Sequence, residues 1–294
     1  MQKSHTNTHF FLLLVLLGIF QGDSMPLEAK DSHEIIDLKE RELGDNLFGN
    51  PDEEITGTLA KAHNANSIQN PGEYGNYFEG DIVVHIEPRN GIRNTTSHWT
   101  GGNVPYVIEA SFSPEELEVL NKAFEEYRHK TCVRFINRTD EKDYILITNN
   151  VTGCSSKAGR RGGHQLLNLQ SKKCLSAIGI PIHELMHALG FYHEQSRPDR
   201  DEYIEVLFEN IKPEMEYNFD KQDAKNVSGF GVPYDYDSVM HYAYNAFSKN
   251  GEPTLRARDK TVDTIRLGQN RGFSKGDLTK INTMYNCTNR ANDS

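Results

Sequence analysis

Residues 183–193 read His-Glu-Leu-Met-His-Ala-Leu-Gly-Phe-Tyr-His, a fit to H-E-x-x-H-x-x-G-x-x-H, and these residue types at these spacings make a complete site for one zinc ion. His183 and His187 stand four apart, so on a helix their imidazoles project from one face, one turn above the other. Gly190 can adopt the left-handed conformation that ends a helix, which turns the chain back and brings His193 to the same ion as a third ligand. The fourth position is left to water, whose pKa a zinc ion lowers to about 7. Glu184 lies beside the first ligand, need not bind the metal, and is placed to take that water's proton as general base. The chemistry implied is peptide hydrolysis. A bare HExxH fits chance on an amphipathic helix; a glycine at the turn and a third histidine at the required distance do not.

Such a site needs a helix of defined start. Pro181 lacks an N–H and belongs in a first helical turn, so the helix is predicted to begin between Ser176 and Ile180, with Cys174 to Ile180 leading in. Upstream, Val104 to Glu109 and Tyr144 to Thr148 are rich in β-branched and aromatic residues and read as strands. Between them Ser113 to Lys130 reads as an amphipathic helix. Ser113 is its N-cap, Pro114 its first residue and Glu116 the partner in a capping box, with Leu117, Leu120, Phe124 and Tyr127 along a core face. After the histidine helix the chain becomes rich in Gly, Asn and Tyr with irregular spacing, and a last helix is predicted from Ser274 to Tyr285. No internal repeat is visible, nor an interaction module after Cys287.

Composition places the chain outside the cell. Phe10 to Phe20 form an apolar run preceded by Lys3, with small residues at Gly22 and Ser24 for cleavage, so residues 1–24 read as a signal peptide. A membrane span needs about 20 apolar residues, which no stretch provides, so no membrane span is expected. Six N-x-S/T sequons begin at Asn94, Asn137, Asn150, Asn226, Asn286 and Asn292, compatible with a glycoprotein. Four cysteines, all after residue 130, fit two disulfides, and the sequence alone allows three pairings. They form no C-x-x-C pair and the histidine site is already complete, which argues against a zinc role for them.

The net charge of −10 is unevenly placed: residues 23–89 carry 5 basic against 15 acidic side chains, whereas 90–294 carry 26 against 27. The acidic front reads as a weakly structured segment rather than a second globular domain, and nucleic acid is excluded as a partner of either part. The remaining 205 residues suit one domain with its own core.

The sequence resembles the astacins, zinc endopeptidases of the metzincin clan. The resemblance rests on the histidine motif, on Arg197, Pro198, Asp199, Arg200 and Asp201 after it, and on a Met-turn, Ser238-Val239-Met240-His241-Tyr242. It implies one Zn2+ per chain and a mixed α+β fold: an N-terminal twisted sheet with two long helices, an irregular C-terminal subdomain, and the active-site cleft between them. It implies Met240 as a hydrophobic floor under the imidazoles and Tyr242 as a weak fifth ligand that swings away to stabilise the transition state. On residue type alone both would be plain core. It selects disulfides Cys132 to Cys287 and Cys154 to Cys174.

The resemblance extends to the front. Phe78-Glu79-Gly80-Asp81 matches the family's F-x-G-D prosegment motif, so residues 25–89 are expected to be an activation prosegment in which Asp81 occupies the open zinc position. Cleavage by an activating protease is expected at Arg89-Asn90, giving a catalytic domain of residues 90–294 whose new amino terminus meets Glu194. The function implied is a secreted, extracellular zinc endopeptidase made as a zymogen and acting on proteins or peptides. Two other classes are weighed against it: an inactive zinc-stabilised binding protein, and a hydrolase of non-peptide substrates. The intact Glu184 and Tyr242 weigh against the first, the Met-turn and prosegment motif against the second.

Overall fold

A computed structural model of the chain describes residues 77–83, 95–225 and 227–287. The leader, most of the front segment and the Arg89-Asn90 bond lie outside the described residues.

Helix α1, Pro114–Lys130, begins where its cap fixes it: Ser113 Oγ accepts from the Glu116 N–H at 3.3 Å and the Glu116 carboxylate accepts from the Ser113 N–H at 2.8 Å. Leu120, Ala123, Phe124 and Tyr127 are buried along one face and Leu117 is half-buried. That face covers a five-stranded sheet of order β2-β1-β3-β5-β4, built from β1 Asn103–Ile108, β2 Arg134–Asn137, β3 Tyr144–Thr148, β4 Cys154–Ser156 and β5 His164–Leu169. Four strands are parallel; β4 runs antiparallel to β5 and forms an edge. Ile145, Ile147, Leu167 and Leu169 are buried, giving the sheet a packed interior. The architecture is mixed α+β.

The histidine helix, α2 Gly179–Leu189, has every residue buried. A helix buried all round cannot send its last carbonyls to water, so other parts of the chain must meet them. Trp99 Nε1–H donates to Ala188 O at 2.7 Å and the Tyr285 hydroxyl to Leu189 O at 2.9 Å. Tyr127 of α1 donates to Ile182 O at 2.8 Å. Helix α3, Lys275–Met284, opens with a second capping box made by Ser274 and Asp277. The disulfides join Cys132 to Cys287, linking the ends of α1 and α3, and Cys154 to Cys174, linking β4 to the lead-in of α2.

The second half is less regular. A two-stranded sheet, β6 Ile204–Val206 with β7 Leu255–Ala257, and short 3-10 turns enclose a smaller core of Ile204, Phe219, Tyr234, Tyr242 and Phe247. The chain pattern predicts α1, β3 and α3 at the positions observed and β1 one residue late. It does not predict β2, β4, β5, β6 or β7, because strands of three or four residues carry too little periodicity and β5 mixes polar and apolar residues without clean alternation. No helix among the described residues is long and apolar enough to cross a membrane.

The start of α2 depends on one close approach. A Cβ on Gly179 would lie 2.0 Å from the Asn270 carbonyl oxygen and 2.1 Å from its carbon, and backbone cannot move aside as a side chain can. Gly179→Ala is expected to cost about 3 kcal/mol or more in denaturant unfolding, against about 1 kcal/mol for Ser113→Ala at the α1 cap. Equal losses would mean that α2 can shift its first turn to admit the methyl group.

Candidate metal centre and active site

Helix α2 ends where the motif requires. Gly190 has φ 114° and ψ 21°, left-handed backbone costly for any residue with a Cβ, and its N–H bonds to His187 O at 2.7 Å. The reversal brings His193 against the helix face carrying His183 and His187. The Nε2 atom of His183 lies 3.0 Å from that of His187 and 3.2 Å from that of His193.

The outer nitrogens explain how the rings are aimed. His183 Nδ1 lies 2.7 Å from Val239 O and His187 Nδ1 lies 2.7 Å from Phe191 O. A carbonyl only accepts, so each Nδ1 carries the hydrogen and each Nε2 turns a lone pair inward. His193 Nδ1 is bound instead by a carboxylate, Glu79 Oε2 at 2.8 Å. Val239 is held in turn: its N–H donates to Asp277 Oδ2 at 2.9 Å, and Ser238 Oγ donates to Asp277 Oδ1 at 2.6 Å.

Asp81 completes the cluster. Its Oδ2 is 3.0 Å from His183 Nε2, and its Oδ1 is 3.2 Å from His187 Nε2 and 3.4 Å from His193 Nε2. One ligand atom from each of the four residues lies within 4.8 Å of the others, and all four residues are buried. The set fits zinc. Ligand bonds of 2.0–2.1 Å in a tetrahedron put ligand atoms about 3.3 Å apart, near the separations found, and inward lone pairs repel one another unless a cation lies among them.

In the absence of metal a proton serves that purpose. Burial raises the Asp81 pKa, but His193 and His187 outweigh it and hold the carboxyl well below the usual range. Burial likewise opposes charge on His193, but Asp81 with Glu79 carries that imidazole up to about 10. His187 is pushed down to about 4 by the same burial, only partly offset by Asp81.

The other expected residues gather here. Glu184 is fully buried on α2. The Tyr242 ring packs 4.6 Å from that of His193, centroid to centroid, and its N–H donates to Gln195 Oε1 at 3.0 Å. Met240 is buried, and its carbonyl accepts from the Glu194 N–H at 2.9 Å. The Glu194 carboxylate is buried and held by Lys280, by Arg197 at 3.0 Å and by the Asp235 N–H at 3.0 Å. Burial raises its pKa, and Lys280 with Arg197 more than reverses the shift. Sequence reasoning did not find Glu79, Gln195, Gln222 or Asp277. The first is the variable position of a four-residue motif, and the last lies inside the predicted final helix with nothing local to mark a second role.

A peptide already lies along the site. Residues 81–83 run beside the outer edge of β4 in parallel, with Ser156 N–H donating to Asp81 O at 3.0 Å and Val83 N–H to Ser156 O at 2.8 Å.

Residues 91–286 match the family model described as Astacin, a peptidase family. Zinc metalloproteinase nas-7 of Caenorhabditis elegans is 39% identical over 269 residues, covering 91% of this chain and 65% of that protein, so the similarity reaches into the front segment. Zinc metalloproteinase nas-14 of the same organism is 47% identical over 191 residues, 64% of this chain and 37% of that protein. The chain thus spans between about a third and two thirds of the length of these relatives. Among solved structures, high choriolytic enzyme 1, a hatching enzyme zinc-protease of Oryzias latipes, matches with TM-score 0.61 and 40% identity, covering 66% of this chain and 96% of that one.

The charge of the metal-free cluster can be measured. Below its pKa of about 10, His193 is protonated and must lose that proton to present Nε2 to a metal. Zinc titrated into the metal-free protein at pH 7 should release about one proton per chain, fading above about pH 10, as read by calorimetry in buffers of different ionisation enthalpy. No release at pH 7 would mean that His193 is neutral before metal arrives.

Proposed function

The chain belongs to the astacin family of zinc metallopeptidases, and from that premise we propose that it is a secreted endopeptidase, made as a zymogen, that hydrolyses peptide bonds in proteins. The observation that carries the reading is the closure of the three-histidine site by Asp81 while the chain around it pairs with the β4 edge. A substrate strand would use the same backbone groups of Ser156, and an edge strand with open N–H and C=O groups is a general means of holding extended peptides.

His183, His187 and His193 would hold the ion through Nε2. Bound there, zinc supplies Lewis acidity toward water and the scissile carbonyl. Glu184 takes the proton of the attacking water as the new C–O bond forms and passes it to the leaving nitrogen as the C–N bond breaks. Tyr242, its backbone fixed through Gln195 and its ring packed at a tilt against His193, donates its hydroxyl hydrogen to the developing oxyanion. Met240 shapes the apolar floor.

In the precursor Asp81 takes the place that water needs. Cleavage by an activating protease at Arg89-Asn90 would release the front segment, and the new amino group would join the buried Glu194 carboxylate, in competition with Lys280 and Arg197. Secretion rests on the leader at residues 1–24 and on sequons at Asn137, Asn150 and Asn286, all exposed.

The zinc-loaded, processed protein should cleave casein or gelatin and stop when a chelator is added. Glu184→Gln should leave zinc content unchanged and lower turnover by about 10² to 10⁴. Tyr242→Phe should lower kcat more than it raises KM, whereas Tyr244→Phe, at a packed aromatic, should do little. Near wild-type cleavage by Glu184→Gln would remove the general-base assignment, and equal effects at the two tyrosines would return Tyr242 to the core.

A further inference from the structure

Asp81 is not the only acidic side chain that the front segment sends into the site. Glu79 is 1% exposed, and its carboxylate accepts from three donors: His193 Nδ1–H at 2.8 Å, the His193 backbone N–H at 3.2 Å, and the Nε2 amide of Gln222. Gln222 is itself buried and is fixed by its N–H to Ser196 O at 2.7 Å. We propose that His193 and Gln222 form a second carboxylate-binding site, distinct from the metal position, that latches the front segment to the rest of the molecule through Glu79.

The backbone around Glu79 favours this reading. Its φ is 47° and that of Gly80 is 86°, so two successive residues adopt left-handed backbone. Glycine enters that region freely, but glutamate has no steric reason to be there. The bend is closed by Gly80 N–H to Tyr77 O at 2.8 Å and Ile82 N–H to Phe78 O at 3.0 Å. It puts the two carboxylates on opposite sides of one imidazole: Asp81 at Nε2, Glu79 at Nδ1. The positive φ is sustained because it delivers Glu79 into its cradle.

The three histidines are therefore not equivalent. His183 and His187 are oriented by carbonyls of the domain itself, whereas His193 borrows its outer partner from the segment to be removed. A carboxylate on the outer nitrogen of a metal-bound imidazole raises its basicity, and losing such a partner typically costs about 10- to 100-fold in metal affinity. The latch should tighten when the site is loaded, because a ligated His193 is a stronger Nδ1–H donor. Latency and metal retention are then coupled through one side chain. The inference rests on the reading of residues 25–89 as a prosegment, but not on Asp81 being the inhibitory ligand.

The test uses the full-length precursor, zinc-loaded, with hydrogen exchange at the Gly80, Ile82 and Val83 amides and zinc affinity by chelator competition. Glu79→Gln should lower protection at those amides about 10- to 100-fold and zinc affinity by a similar factor, since hydrogen bonds to a charged group are the stronger kind. Gln222→Leu, which leaves the front segment untouched, should also lower protection, and the double variant should fall short of the product of the two. Unchanged protection in both single variants overturns the latch. Protection lost equally at Ile145 and Ile147 overturns it as well, because Glu79 would then be supporting the fold. Asp81→Asn separates the two ideas: if it alone releases the segment, the zymogen reading stands and the latch falls. If Glu79→Gln releases the segment and Asp81→Asn does not, the latch stands and Asp81 is no longer the inhibitory ligand.

Discussion

Three imidazole lone pairs aimed at one buried point repel one another, and most of the structure answers to the need to hold them there. Nε2 atoms 3.0 and 3.2 Å apart are tolerable only with a cation or a shared proton among them. A site that loses its ion must still keep its shape, or it cannot bind the next one. The rings are therefore fixed from behind. Val239 O and Phe191 O each take an Nδ1–H, so both rings are oriented by backbone carbonyls rather than by flexible side chains. The Phe191 carbonyl follows from the left-handed Gly190. The Val239 carbonyl depends on Asp277, whose carboxylate gathers Ser238 Oγ, the Val239 N–H and the Ser274 N–H at the first turn of α3. One acidic residue thereby serves both as a helix cap and as an anchor for the Met-turn. Burial pushes the Asp277 pKa up, with Lys280 and the three donors working against it.

The helix carrying two of the ligands is the least self-sufficient element of the fold. Buried on all sides, it is stabilised through residues far away in sequence: Trp99, Tyr127 and Tyr285 bond its carbonyls, and Asn270 receives its first N–H. These partners come from the two ends of the described domain, Trp99 and Tyr127 from its beginning and Asn270 and Tyr285 from its end. The Cys132–Cys287 disulfide holds the ends of α1 and α3 together, so Tyr127 and Tyr285 act from one tethered frame. A change that loosens that frame reaches the metal site through α2 without touching a ligand.

This explains which parts of the molecule were legible in the sequence. The convergence of the three histidines was, because their spacing is set within eleven residues by helix pitch and one glycine turn. So were α1, from a capping box written in four consecutive residues, and α3, from its start and stop residues. The strands β4, β6 and β7 were not, since three residues are too few for a period and their conformation is set by the partner strand. Asp277 and Gln222 were hidden for a related reason. Their roles exist only where α3 meets the Met-turn and where the chain after His193 meets the front segment, and neither meeting has a local signature. Glu79 sat inside a motif but at the position the motif leaves free.

The β4 edge joins these themes. A sheet edge with open hydrogen-bonding groups is a liability, because it invites pairing with other chains. Here that liability coincides with the feature a peptidase needs, an edge that accepts an extended strand. The front segment pairs with that edge through Ser156 and sets Asp81 against the three histidines in the same three-residue stretch. Removing it would expose both at once. The Cys154–Cys174 disulfide keeps the uncovered strand from drifting, tying it to the lead-in of α2 and so to the first two ligands. The β4 edge and the three histidines are thus tied to each other through the disulfide and α2, and one peptide, residues 81–83, lies against both.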